Sequence, residues 1–217
     1  MSRMTAPKNE KEFLASYNIH DFDVPLTSVD MAIFTVQDLR LKVLLVKRAQ
    51  FPARGKWALP GGFINLKADK NLDATASRKL KEKTGVATSH LEQVMTFGNG
   101  KRDPRGWSVT VAYMALIASE NIELKTNDAS EEIVWADVET LADDYKLAFD
   151  HKDILAVCHE RLKSKVQYTS LPVNLLPEKF TLTELQKTYE IIMGTPIEKK
   201  SFRRRTLDAD ILIDTGE

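Results

Sequence analysis

A single cysteine, Cys158, stands in a chain of 217 residues. That excludes an internal disulfide framework and a cysteine-rich zinc site, and it leaves the thiol to be read as a small apolar side chain within a helix. Net charge of one sign is lacking too, since Lys+Arg and Asp+Glu both number 31. Overall charge therefore points to no partner, and any surface for nucleic acid or membrane has to come from local clustering. No apolar run approaches the ~20 residues of a membrane span. The opening segment MSRMTAPKNEKEFLASY has none long enough for a signal peptide, so a reducing, cytoplasmic setting is the expectation. Internal repeats and low-complexity tracts are also missing. What is present, 43% apolar and 29% charged residues, is ordinary for a globular chain and enough for one full core with a second small domain.

Residues 28–36 (SVDMAIFTV) and 41–47 (LKVLLVK) are β-rich and flank the polar turn QDLR, which predicts paired strands. FPARGKWALPGGF is punctuated by Gly and Pro and reads as a loop. Leu72, Ala76 and Leu80 recur at helical spacing, so a helix is expected over 72–84 with Asn71 as N-cap and Gly85 as C-cap. SVTVAYMALI (108–117) is continuous enough in apolar residues to be a strand buried on both faces. EEIVWAD is a shorter strand, and HKDILAVCHERLKSKV carries Ile154, Leu155, Cys158, Leu162 and Val166 at helical spacing. Strands and helices are interspersed to about residue 165, the pattern of an α/β sandwich. Two prolines and a loss of periodicity then place a linker over 166–176, ahead of a second domain over 177–217.

The run PGGFINLKADKNLDATASRKLKEKTGV resembles the Nudix box, a glycine loop followed by a helix reading Arg-Glu-apolar-any-Glu-Glu-any-Gly-apolar. Gly61, Gly62, Arg78, Leu80, Glu82, Gly85 and Val86 carry the match. In that family three helix glutamates hold a divalent metal against a pyrophosphate. Residues at i, i+3 and i+4 share one helix face, so such carboxylates converge and offer the hard oxygens magnesium takes. Here the three positions are Lys79, Glu82 and Lys83, so the formal charge goes from three negatives to one negative and two positives, a change of +4. A protonated lysine has no acceptor for a metal. The resemblance therefore implies a Nudix-like α/β/α sandwich with a mixed sheet, over residues 1–165 with 1–24 as an N-terminal extension, that has no catalytic residues and no metal. Rescue of the metal site by the nearby Asp69 and Asp73 is the alternative.

Loss of metal leaves a nucleotide pocket possible. NGKRDPRGWSVTVAY (99–113) resembles the loop and strand of ADP-ribose pyrophosphatases and their regulatory relatives. Arg102 and Arg105 offer forks for diphosphate oxygens, Asp103 can accept from ribose hydroxyls, and Trp107 can stack on adenine or serve as core. Arg48 and Phe51 stand with RGKWALPGG close to Gly61 and Gly62, and Lys79 and Lys83 favour an anion. LAFDH (147–151) is similar to the same family, with His151 either a structural residue at a helix start or a catalytic one.

TLTELQKTYEIIMGTPIEKKSFRRRTLDADILI predicts helix, turn and helix, with Thr181 or Thr183 as the first N-cap and Gly194 as the stop. Lys199, Lys200, Arg203 and Arg204 form one stripe of the second helix; Phe202, Thr206 and Ala209 fall on another face, suited to packing on Leu182, Leu185, Tyr189 and Ile192. A basic stripe opposite a packed face suits insertion in a DNA major groove, with Lys199, Lys200, Ser201, Arg203, Arg204, Arg205 and Thr206 as candidate contacts. A degenerate Nudix box followed by LLPEKFTLTELQ resembles the Nudix-related transcriptional regulators of NAD metabolism, the NrtR type. That resemblance implies a homodimeric repressor with a C-terminal winged helix on a palindromic double-stranded operator of NAD metabolism genes. It implies ADP-ribose or a related nucleotide as effector, no required cofactor, no membrane partner, and a cytoplasmic protein found at the bacterial nucleoid when bound. The chain ends at IDTGE before an obvious second wing strand, so the wing is expected to be short or incomplete. An active ADP-ribose pyrophosphatase, or a nucleotide-binding interaction protein without a DNA role, are the rival readings.

Overall fold

The computed structural model describes residues 7–86, 90–122, 124, 130–209 and 212–215. β1 (Leu26–Gln37) and β2 (Arg40–Arg48) form an antiparallel hairpin with Phe34 opposite Val43. Asp38 and Leu39 turn it at φ 53° and 58°, the left-handed pair whose twist matches that of the strands in a two-residue loop. β6 (Ser108–Leu116) runs parallel to β1, Leu26 beside Ser108 and Phe34 beside Leu116. β7 (Ser130–Asp137) pairs antiparallel with β2. Two short strands inside the expected loop, β3 (Trp57–Ala58) on β2 and β4 (Gly61–Phe63) on the start of β1, correct that expectation. β5 (His90–Asn99), which the sequence does not announce, completes the mixed sheet along β6. Pairing of β4 with Ser28, Val29 and Asp30 pins the glycine loop to the central strand.

Alternation along the strands splits the core in two. Val29, Met31 and Ile33 of β1 face the same side as Val111, Tyr113 and Ala115 of β6, and α2 (Leu72–Thr84) covers them with Ala76 and Leu80. Ala32, Phe34, Val43, Leu45, Met114 and Leu116 face the other side, covered by Ile154, Leu155, Cys158, Leu162 and Val166 of α4 (His151–Val166). The result is the α/β/α sandwich. α2 starts and stops where the sequence places it: Asn71 Oδ1 accepts from the Ala74 N–H at 2.9 Å, and Gly85 takes φ 72°, a left-handed cap that costs a residue without Cβ little. The described part of the N-terminal extension, with α1 (Glu10–Ser16), buries no side chain. α3 (Leu141–Asp144) leads back toward α4.

The segment expected as a linker is packed rather than open. Leu171, Pro172 and Leu175 are buried in a 3-10 turn, and the core on the α4 side runs without a break into Leu185, Tyr189 and Ile192 of α5 (Leu182–Met193) and Phe202 of α6 (Lys199–Asp208). Apolar side chains of the second unit thus shield the first. Thr181 is the α5 N-cap, with a capping box in which Glu184 reaches back to the Thr181 N–H at 2.7 Å. Gly194 ends the helix at φ 70°. Leu212 packs on the core and Ile213 is exposed, while residues 210, 211, 216 and 217 of the expected wing lie outside the described residues.

Candidate functional site

The glycine loop separates two charged clusters. Gly61 lies against Asp30, and a Cβ there would collide with the Asp30 carboxylate and the Val29 carbonyl. Gly62, at φ 150°, lies under the Lys79 side chain, whose Cε would sit 2.9 Å from a Cβ. No side chain fits at either position without displacing its neighbour.

On the α2 side, helical spacing gathers Arg78, Lys79, Glu82 and Lys83. Asp69, 2% exposed, accepts two guanidinium bonds from Arg78 at 2.7 and 2.6 Å, plus bonds from the Asn65 N–H and the Thr75 hydroxyl. The Arg78 guanidinium holds the Asp69 carboxyl well below the usual carboxylate range. Glu82 receives Arg78 on Oε1 at 2.9 Å and Lys79 on Oε2 at 2.9 Å. Partial burial pushes its pKa up, but those two cations outweigh it and leave the carboxyl below its ordinary value. Lys83 is buried and donates to Ser130 Oγ at 2.8 Å, tying α2 to the start of β7; burial, aided by Lys79, depresses its pKa. Asp73 accepts from the Tyr113 hydroxyl at 2.6 Å, and burial followed by that carboxylate raises the phenol's pKa. The residues here do not fit a divalent cation: Glu82 is engaged on both oxygens, two positions are ammonium groups, and Asp69 and Asp73 are committed elsewhere. Among the described residues no three His, Cys, Asp or Glu side chains converge as a metal site.

On the other side stands a buried ionic cluster. Arg102, 6% exposed, forks onto Asp150 at 2.8 and 2.9 Å and lies 3.7 Å from Asp30. It is thus a clasp between the β5–β6 loop and the start of α4, whose guanidinium, expected as a fork for diphosphate, is engaged by Asp150. Asp103 and Arg105 likewise engage each other, with bonds of 3.0 and 2.6 Å, and the Arg105 guanidinium lies over the Phe63 ring. That pairing holds the Asp103 carboxyl below its usual value. Arg48 donates to the Pro52 carbonyl at 2.9 Å and covers Phe149; burial, then the charge of Arg105, lowers its pKa. His151 is buried and accepts from the Leu59 N–H on Nδ1 at 2.9 Å, with Nε2 turned to Asp30 at 3.9 Å. Burial lowers its pKa, so the neutral ring braces the loop backbone, which is the structural alternative for this residue. Trp107 is 56% exposed and lies against Gly98 and Gly100, outside the core, and Phe51 is 80% exposed. Sequence reasoning passed over Asp30, Asp150 and Tyr113; a carboxylate inside the apolar run SVDMAIF was the one available signal.

In the C-terminal unit the Glu198 carboxylate caps α6 through the Lys200 and Ser201 N–H groups. Lys199, Lys200, Ser201, Arg203, Arg204 and Arg205 are all exposed. Phe202 is buried edge-on against Tyr189 with ring centroids 5.3 Å apart. Thr206, expected among the DNA contacts, is buried beside it on the packing face. Ala209, expected on the same face, is exposed. The turn between helices is fixed by Glu190, which accepts from the Ile197 N–H, and by Gln186, which donates to the Ile197 carbonyl.

Residues 26–158 match the NUDIX domain family, and residues 172–217 match the NrtR DNA-binding winged helix domain. Over 209 residues, 96% of this chain and 83% of the relative, the sequence is 49% identical to the ADPR responsive transcriptional repressor NtrR of Acinetobacter baylyi. The fold matches the crystal structure of Shewanella oneidensis NrtR complexed with a 27mer DNA at a TM-score of 0.81, with 45% identity over 88% of this chain and 86% of that one. The NUDIX domain of the same Shewanella protein, complexed with ADP ribose, matches at a TM-score of 0.66, with 42% identity over 71% of this chain and 99% of that one. No helix among the described residues is long and apolar enough to cross a membrane. A Nudix sandwich, joined through one core to a basic winged helix, places this chain in the NrtR family of Nudix-related transcriptional regulators.

Proposed function

We propose that this chain is a repressor of NAD metabolism genes that holds ADP-ribose, or a related nucleoside diphosphate, without hydrolysing it. The observation that carries the reading is the state of Glu82: both oxygens are occupied by cations, and its companions at the metal positions are Lys79 and Lys83. A cation-assisted attack of water on a pyrophosphate needs converging free carboxylates, whereas ammonium and guanidinium groups favour an anion that stays. Likeness to a repressor named ADPR responsive and to a NUDIX domain bound to ADP ribose supports the choice of effector. Glycine loop, Lys79, Arg48 and Arg105 border the space for the diphosphate; the exposed Trp107 and Phe51 are available to stack on a base.

The exposed face of α6 reads the major groove, with Lys199, Lys200, Arg203, Arg204 and Arg205 as its cations and Ser201 at its N-terminal turn. Likeness to a relative crystallised with a 27mer DNA supports DNA as the partner. The protein acts as a homodimer in the cytoplasm, at the nucleoid when bound, its two-fold axis matched to a palindromic operator. Effector regulation requires that nucleotide bind one arrangement of the two α6 helices more tightly than the other. The shared core of α4, α5 and α6 provides a continuous path for that difference. One experiment tests the whole reading: fluorescence anisotropy on operator DNA with and without ADP-ribose, with nucleotide analysis of the same samples after incubation with magnesium. Salt-sensitive, ADP-ribose-dependent DNA binding and intact nucleotide are expected; AMP at enzymatic rates would establish the hydrolase reading instead.

A further inference from the structure

We propose that Lys79 is the chain's built-in replacement for the divalent cation of the Nudix box, so that nucleotide binding is independent of magnesium. The inference rests on the effector reading above and assigns its charge neutralisation to one side chain. Of the two lysines that replace carboxylates, Lys83 is buried and spends its ammonium on Ser130; it braces the fold. Lys79 differs. Its side chain crosses the glycine loop, with Cε and Nζ at 2.9 and 3.3 Å from where a Gly62 Cβ would stand. Gly62 therefore leaves the room through which the ammonium reaches the loop, and the side chain keeps 19% of its surface in solvent.

The ammonium is also held in place. Asp69 fixes Arg78, Arg78 fixes Glu82, and Glu82 tethers Lys79 Nζ at 2.9 Å. An ammonium has three donors. The bond to Glu82 uses one and leaves others for phosphate oxygens. A cation ordered before the ligand arrives loses less side-chain entropy on binding. The same chain of bonds explains why Glu82 survives in the box as a carboxylate: it is the anchor for the cation beside it.

The test is calorimetric titration of the full-length protein with ADP-ribose, once in EDTA and once with magnesium chloride. The unsubstituted protein binds with the same affinity, within about twofold, in both buffers. K79Q, which keeps a polar side chain one bond shorter and without its charge, loses about tenfold or more in either buffer, the scale of one charge-assisted bond. K79E loses more in EDTA and regains part of the loss with magnesium, a rescue that a merely structural role for Lys79 would not produce. Affinity of the unsubstituted protein that depends on magnesium, or K79Q binding within about twofold of it, overturns the assignment while leaving the effector reading intact. No ADP-ribose binding by the unsubstituted protein in either buffer overturns both. The comparison of buffers needs no variant, so it stands even where K79Q fails to fold.

Discussion

Replacing Arg102 by methionine tests whether the clasp under the glycine loop is structural. The methionine keeps much of the stem volume and removes the charge. Its loss strips Asp150 of two guanidinium bonds at 2.8 and 2.9 Å and strips Asp30 of a cation at 3.7 Å. Both carboxylates are more than four-fifths buried by side chain, at 16% and 11% exposure. Removing one partner of a buried pair costs about 3–5 kcal/mol; the residual solvent access argues for the lower end, about 3 kcal/mol. With a urea slope of about 2–3 kcal/mol per molar for a chain of this size, the midpoint falls by about 1–1.5 M. Equilibrium urea unfolding followed by tryptophan fluorescence measures it. The cause is separable from lost packing: D150N in the R102M background recovers part of the loss, because the uncompensated charge is gone, whereas D150N alone is destabilising. A loss below about 1 kcal/mol in R102M, or no recovery in the double variant, would refute the claim that Arg102 works as a buried clasp.

R204A weakens operator binding about tenfold or more and flattens its dependence on salt by about one counterion per contact removed, measured by anisotropy across a salt series. F202A opens a cavity beside Tyr189 and costs about 3–5 kcal/mol, seen as a lowered thermal midpoint together with loss of DNA binding. For pH, the Asp69 carboxyl is depressed by Arg78, so its stabilisation is complete above the unfolded-state value of about 4 and is lost as pH falls through the lower folded value. D69N therefore lowers stability at neutral pH and flattens the acid limb of the stability curve, which urea melts across the acid range read directly.

What the sequence disclosed was local. α2 emerges with both caps because Asn71 and Gly85 act within one turn of themselves; for α5 the sequence left Thr181 and Thr183 as candidates, and the capping box with Glu184 selects Thr181. β5 escaped notice because it is an edge strand with many exposed positions, and its register slips between Gln93 and Met95, which breaks the alternation. β3 and β4 are too short to carry a period. At the site, spacing on one helix exposed Lys79, Glu82 and Lys83 as a set, yet not that Lys83 is buried against a strand 47 residues on. Arg102 meets Asp150 across 48 residues, a pairing with no sequence period at all. Thr206 is separated from its basic neighbours only by which face of α6 meets Tyr189, a matter of tertiary packing.

The lone thiol is sealed within α4, where burial pushes Cys158 up to about 12. At neutral pH such a group presents almost no thiolate to an electrophile. The native chain is therefore a blank background for maleimide chemistry: one engineered surface thiol on α6 accepts a fluorophore without removal of the natural one, and distances between two labelled heads become measurable as nucleotide is added.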